Sequence, residues 1–342
     1  MGDEMSTGET TVPKGVRVFS GMQPSGEAHL GNYLGALRQW VSLQDEHECF
    51  FCIVDQHAIM GNVAPDELPE RVLDLAVSFL AVGLDPERST IFVQSDVPEH
   101  TELAWLFNAV TPVGNLERMT QYKDKSAELE SIPSGLLNYP ILQAADILLY
   151  RAGAVPVGED QLQHLELTRE IARRWNARYG EFFPEPEAIR GGAGRILGLD
   201  GKAKMSKSLG NTVGILAEPD EVWDRVRTAV TDPQRIRRDD PGRPEVCNVF
   251  SLHRHFTDPD RIPDIAGQCR AATRGCVDCK RILADSIADH FEEARERAAE
   301  LRASPDLLRE ILDQGARRAR TEARATLKEV RERMGIRGRG RG

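Results

Sequence analysis

No stretch of this chain is apolar for long enough to cross a membrane. The N-terminal Met1–Lys14 is polar and acidic and lacks the apolar core of a secretory signal, so residues 1–15 are expected to be a disordered extension of a cytoplasmic protein. An excess of positive charge is also missing. The formal net charge is −10 over 342 residues, which argues against a general nucleic-acid binder. The charge is uneven, however. Ala316–Gly342 holds ten Lys and Arg against three Glu, leaving the rest near −17. This basic end allows a local contact with a polyanion, or else it is a solvated helix face ending in a disordered tail, residues 336–342. No internal repeat is visible. With 40% apolar residues, the chain can bury a large core and is expected to divide into two domains.

Two short segments carry chemistry. Pro24-Ser25-Gly26-Glu27-Ala28-His29-Leu30-Gly31-Asn32 follows an extended run at Val16–Ser20. A turn of small residues that feeds a helix start is where backbone N–H groups approach phosphates. Far downstream lies Lys204-Met205-Ser206-Lys207-Ser208, whose two lysines can bring positive charge to the same phosphates. Together they read as a nucleotide site that works by positioning and electrostatics.

The first two-thirds alternates strand and helix patterns. Arg17–Ser20, Cys49–Asp55 and Thr90–Ser95 are short apolar runs of buried-strand type, separated by helical patterns at Leu30–Asp45 and Asp66–Val82. Such alternation implies an α/β fold with a doubly wound parallel sheet and ligands at its carboxyl edge. Gln56 and His57 directly follow the second strand and are expected at that edge. From Glu218 onward strand signals stop. Lys280–Arg302 and Pro305–Met334 read as long amphipathic helices, the second capped at Ser304-Pro305-Asp306. A catalytic domain over 16–215 and an all-helical domain over 216–335 are expected.

The two segments resemble the His-x-Gly-His and Lys-Met-Ser-Lys-Ser signatures of class I aminoacyl-tRNA synthetases, which carry a Rossmann-like catalytic domain. The second is matched letter for letter; the first has Asn32 where many members have His. Phe19–Gly26, Cys52–Ile59, Ala144–Tyr150 and Val157–Gln161 resemble bacterial tryptophanyl-tRNA synthetases, and the likeness runs from about Arg17 to Gly335. It implies ATP-dependent activation of tryptophan, with its carboxylate attacking the α-phosphorus. No general base is required, since a carboxylate is already ionised at neutral pH. The resemblance places Gln23, Pro24, Ser25, Gly31 and Asn32 at the ATP phosphates and nucleoside, Gly158, Glu159 and Asp160 at the ribose, and Ile196 beside the adenine. It closes Lys204, Met205, Ser206, Lys207 and Ser208 over the pyrophosphate. His29, Asn32, Lys204 and Lys207, with Mg²⁺, are implied to act on the reacting groups.

Indole is a large apolar plate with one donor and no acceptor, so its pocket needs apolar walls and one acceptor. The family assigns that acceptor to Asp146; as a sequence feature alone, an Asp in an apolar helix is as readily a salt-bridged or helix-end residue. Phe19, Met22 and His57 are implied to line the pocket, although each also reads as core. Tyr139, Gln143 and Gln161 match positions around the substrate α-amino group, and Gln143 stands where many bacterial members carry Met.

Six cysteines remain. Cys49 and Cys52 are three apart on an expected strand, so they point to opposite faces and read as core. Cys247, Cys269, Cys276 and Cys279 follow the pattern C-x21-C-x6-C-x2-C. Four thiols in one region of an intracellular protein favour a metal over disulfides. The candidates are a [4Fe–4S] cluster, which a subset of this family carries with similar spacing, a Cys₄ Zn²⁺ site, or free thiols.

The combined expectation is a homodimeric tryptophan–tRNA ligase that charges tRNA(Trp) and reads its anticodon through the helical domain. Two rivals stay open: a tyrosine-activating enzyme of the same fold, and a regulatory relative that binds Trp or RNA without charging tRNA.

Overall fold

The computed structural model describes residues 12–61, 63–127, 129–191 and 196–336. Five strands, β1 (Arg17–Met22), β2 (Glu48–Ile53), β3 (Ser89–Val93), β4 (Ala154–Val157) and β5 (Glu187–Arg190), form one sheet in the order β3-β2-β1-β4-β5, every neighbouring pair parallel. The expected doubly wound α/β sheet is therefore present. The chain winds outward from β1 in both directions, so its reversal lies between β1 and β4. Ligands of such sheets bind outside the carboxyl ends at this point. The three expected strands appear within two residues of their expected bounds. β4 and β5 were not anticipated. Both are four residues long, and β4 contains Pro156, which cannot donate to a sheet ladder.

After β1, α1 (Leu30–Asn32) passes through a π-helical turn (Tyr33–Leu37) into α2 (Arg38–Leu43). Next come α3 (Asp55–Ala58), α4 (Glu67–Ala81), α5 (Glu99–Asn108), α6 (Val113–Glu117), α7 (Thr120–Ser126), α8 (Ser134–Leu149) and α9 (Leu162–Tyr179). Beyond β5 the described chain forms no further strand, and its longer elements are helices joined by loops: α10 (Pro219–Val226), α11 (Asn248–Phe256), α12 (Ile262–Arg270), α13 (Cys276–His290), α14 (Glu292–Ala303) and α15 (Pro305–Arg333). The helix expected over Lys280–Arg302 is thus two helices, broken at Phe291, whose ring is buried against Tyr33. Ser304 precedes α15 but its side chain makes no cap hydrogen bond; Pro305 at the first helical position begins the helix instead.

Two apolar layers sandwich the sheet. Cys49 and Cys52 fall in different layers, as their three-residue spacing requires. The last helix returns to the sheet and covers the open edge of β3. A Cβ on Gly315 would come within 1.7 Å of the Ile91 carbonyl oxygen, and Ala319 and Ala323, one and two turns on, are fully buried. Arg324 and Arg331 of this helix pair with Glu99 and Glu102 of α5, and Glu322 pairs with Arg17. Part of the basic C-terminal charge is therefore spent on the body. Residues 12–15 of the expected extension also touch the body: Val12 packs on the core, and Lys14 and the Gly15 N–H bond to Glu46. Residues 1–11 and 337–342, with the rest of the extension and nearly all of the tail, lie outside the described residues. No described helix is long and apolar enough to cross a membrane.

Candidate active site

β1 ends at the sheet's reversal point and delivers residues 23–29 to the start of α1. His29 is the N-cap, with extended backbone (φ −116°, ψ 170°). Its Nδ1 accepts from the N–H of Gly31 at 3.1 Å and of Asn32 at 3.3 Å, while Asn32 Oδ1 accepts from the His29 N–H at 3.0 Å. This is a reciprocal capping box. It gives Asn32 a structural reason to stand where many relatives carry His. With Nδ1 accepting, the ring proton is on Nε2. Burial, then Lys207 and Lys204 nearby, lower the His29 pKa to about 4, so the ring is an uncharged donor at neutral pH.

The second signature lies over the first. The Met205 N–H bonds to the Ile196 carbonyl at 3.1 Å, and the Met205 side chain is buried. A Cβ on Gly31 would lie 3.0 Å from the His29 ring and 3.1 Å from Met205 Cβ, so a larger residue would have to push one of these neighbours aside by a few tenths of an ångström. Lys207 Nζ donates to the Ser25 carbonyl at 2.9 Å, and Lys204 Nζ lies 3.5 Å from Asp160 on the segment after β4. Burial lowers the Lys207 pKa. Asn211, absent from the sequence reading, anchors the loop: its Oδ1 accepts from the Ser206 N–H at 2.8 Å and its Nδ2 donates to Asp200 at 2.7 Å. Gln23–Ser25, Gly31, Asn32, Asp160, Ile196 and Lys204–Ser208 thereby come together from segments far apart in the chain.

Beneath this edge, α8 carries Asp146 into the apolar layer, 1% exposed. Its Oδ2 is 2.9 Å from His57 Nε2; its Oδ1 is 2.6 Å from His100 Nδ1 and 2.7 Å from Gln94 Nε2. Burial acts to raise the carboxyl, but His100 and His57 outweigh it and bring the pKa down to about 2. His57 leads on to Tyr139, ring centroids 6.4 Å apart. The Tyr139 hydroxyl lies 2.6 Å from His164 Nε2 and 3.0 Å from Gln121 Oε1, and Gln143 donates to Gln161 at 3.4 Å. Phe19 stacks on Tyr150 at 5.6 Å within the core. Met22, three residues further on at the end of β1, is partly buried and packs with the opposite apolar layer of the sheet. Gln94, His100 and His164 escaped the sequence reading, and Tyr150 entered it only as the end of a quoted segment, because each is a single polar residue in an apolar or mixed stretch with no spacing to mark it.

The four remaining cysteines gather in the helical region. Cys247, Cys269, Cys276 and Cys279 line one pocket with Val249 and Phe250, around a cavity of about 20 Å³. Arg235 Nη1 lies 3.7 Å from Cys269 Sγ, and His253 Nε2 lies 3.3 Å from Cys279 Sγ. Burial and the neighbouring thiols push Cys279 up to about 12, and burial also raises Cys247 and Cys269. Among the described residues no three His, Cys, Asp or Glu side chains converge on a single ion. A single metal would need the thiols drawn together; a four-iron group would need them spread about the cavity.

The family model for "tRNA synthetases class I (W and Y)" matches residues 13–292. The chain belongs to that family. It is 52% identical to the tryptophan–tRNA ligase of Deinococcus radiodurans, over 94% of this chain and 98% of the relative. It is 39% identical to that of Aquifex aeolicus, over 94% and 100%. The tryptophanyl-tRNA synthetase of Campylobacter jejuni, solved with ADP and tryptophan, superposes with a TM-score of 0.85 at 39% identity, over 93% and 99%. The expected class I fold and tryptophan–tRNA ligase activity are borne out.

Proposed function

We propose that this site joins L-tryptophan to ATP, releasing pyrophosphate, and passes the tryptophanyl group from tryptophanyl-AMP to the 3′ end of tRNA(Trp), releasing AMP. One observation carries the mechanism: Lys207 reaches the Ser25 carbonyl, so the two signature segments meet directly over the His29 cap. The substrate carboxylate attacks the α-phosphorus in line. The site's task is alignment and neutralisation of the leaving pyrophosphate. His29 Nε2–H donates to a phosphate oxygen without adding charge. Lys204 and Lys207 exchange Asp160 and Ser25 for phosphate oxygens as charge develops. Mg²⁺ would bind together with the ATP phosphates and would add to the neutralisation of the leaving pyrophosphate. Asp146 accepts the indole N–H, between walls supplied by Phe19, Met22 and His57. Tyr139, Gln143 and Gln161 receive the α-amino group. Amino-acid-dependent ATP–pyrophosphate exchange tests the reading: Trp is expected to drive it and Tyr is not, and a Tyr preference would overturn it.

The helical segment 216–335 is proposed to contact the anticodon, and the enzyme to work as a cytoplasmic homodimer. Trp105 and Val113, 75% and 58% exposed on successive helices, offer apolar surface for a second copy. The four-cysteine pocket is proposed to hold a structural [4Fe–4S] cluster, with Zn²⁺ the alternative. Four sulfur donors around one cavity and a guanidinium beside Cys269 support this reading. Anaerobically purified protein is then expected to be brown, with about four irons and four sulfides per chain. Cys276→Ser is expected to bleach it while Trp activation survives. One zinc per colourless chain would reject the cluster; metal-free protein that charges tRNA normally would reject both.

A further inference from the structure

Three donors already point at a carboxylate that the proposed reading needs as an acceptor. Oδ1 of Asp146 takes two, from His100 Nδ1 and Gln94 Nε2, and Oδ2 takes one, from His57. A carboxylate oxygen offers two lone-pair directions. Oδ1 is therefore full, and Oδ2 has one direction left, beside His57. The tautomer of His100 follows from its other nitrogen. Nε2 lies 2.8 Å from the Tyr150 hydroxyl, which has no second acceptor among the described residues. Tyr150 therefore donates, Nε2 accepts, and the His100 proton sits on Nδ1, aimed at Asp146. Neither ring is free to turn. His100 is fully buried against Phe92 and Tyr150, and Tyr150 is stacked on Phe19 and Phe50.

We propose that His100, oriented by Tyr150, is a positioning residue for amino-acid selection: by filling Oδ1 it leaves Asp146 a single acceptor direction, on Oδ2, for one ring N–H. The inference rests on the assignment of Asp146 as the indole acceptor and adds which oxygen accepts and what determines it. A carboxylate without this clamp can turn about its Cβ–Cγ bond and meet a ring lacking the donor at less cost. Held as it is, it leaves the second acceptor direction of the buried Oδ2 unfilled whenever the ring has no N–H.

The test compares ATP–pyrophosphate exchange with Trp and with its isostere carrying ring sulfur in place of the N–H. The wild-type enzyme is expected to favour Trp by at least about 100-fold in kcat/KM. His100→Leu keeps the volume and removes the donor. It is expected to raise the KM for Trp about 10- to 100-fold with little change in kcat, and to bring the preference within about 10-fold. His100→Asn places an amide N–H near the position of Nδ1 and is expected to restore most of the preference. Tyr150→Phe keeps the ring stack and removes only the hydroxyl. It is expected to lose preference partially and keeps the test decisive if His100→Leu does not fold. A folded His100→Leu or Tyr150→Phe with wild-type preference overturns the role of His100. So does an equal loss with both substrates, which marks a purely structural residue. A wild-type enzyme indifferent to the ring N–H overturns instead the assignment of Asp146.

Discussion

Replacing Asp146 by Asn keeps the shape of the side chain and exchanges one buried acceptor for a donor. The surrounding geometry dictates which oxygen is lost. His100 and Gln94 both donate to Oδ1 at 2.6 and 2.7 Å, so the amide oxygen must stay on their side. The new NH₂ group then faces His57 and the bound indole. His57 can respond by moving its proton to Nδ1 and accepting through Nε2; the indole N–H cannot respond and meets a donor. The loss is that of a hydrogen bond to a charged acceptor, about 1.5–3 kcal/mol, or about 10- to 150-fold in the KM for Trp. Asp146→Ala would be a poorer probe, because it strands three buried donors at once. The assay is pyrophosphate exchange across a Trp titration, with the KM for ATP as internal control and a melting curve to show folding. The Asp146 carboxyl is held at about 2 instead of 3.8. Its ionisation therefore contributes about 2 kcal/mol of stability that is fully present above about pH 4 and is lost as pH falls toward 2. Asp146→Asn should flatten that acid limb. A folded Asn variant with wild-type Trp KM would refute the reasoning.

Lys204→Ala and Lys207→Ala are expected to lower kcat for activation about 100-fold while the KM for Trp stays near wild type, since their charge acts mainly on the leaving pyrophosphate. A loss confined to Trp binding, measured in the same exchange assay, would contradict that role. His29→Asn retains a side-chain acceptor for the cap but lacks the Nε2–H. Its kcat should fall about 10- to 100-fold with melting temperature and Trp KM little changed, and undiminished exchange turnover would show that His29 serves only the helix.

Much of the site was legible in the residues because its parts are local. The turn Pro24–Asn32 and the loop Lys204–Ser208 each declare their chemistry by composition and order, and Asp146 stands out as a carboxylate in an apolar helix. The partners of Asp146 were not legible. His100 reaches it from α5 and Gln94 from the end of β3, and neither has a spacing relation to α8 that a sequence pattern could reveal. Asn32 shows the same limit at short range. Its departure from the signature has no explanation in the sequence, and only the three-dimensional geometry shows the amide closing a capping box with His29.

The sequence by itself determined the parallel α/β core, since apolar runs alternating with amphipathic helices can bury themselves only in that arrangement. It also determined the nature of the reaction, because the two signatures specify phosphate binding wherever they meet. The tertiary structure alone decided that α15 returns across the chain to seal the edge of β3 through Gly315, Ala319 and Ala323. It alone decided which Asp146 oxygen is free and how the four cysteines surround one cavity. Those outcomes depend on contacts between residues far apart in the chain, whose cost and gain are settled by packing and hydrogen-bond saturation rather than by local propensity.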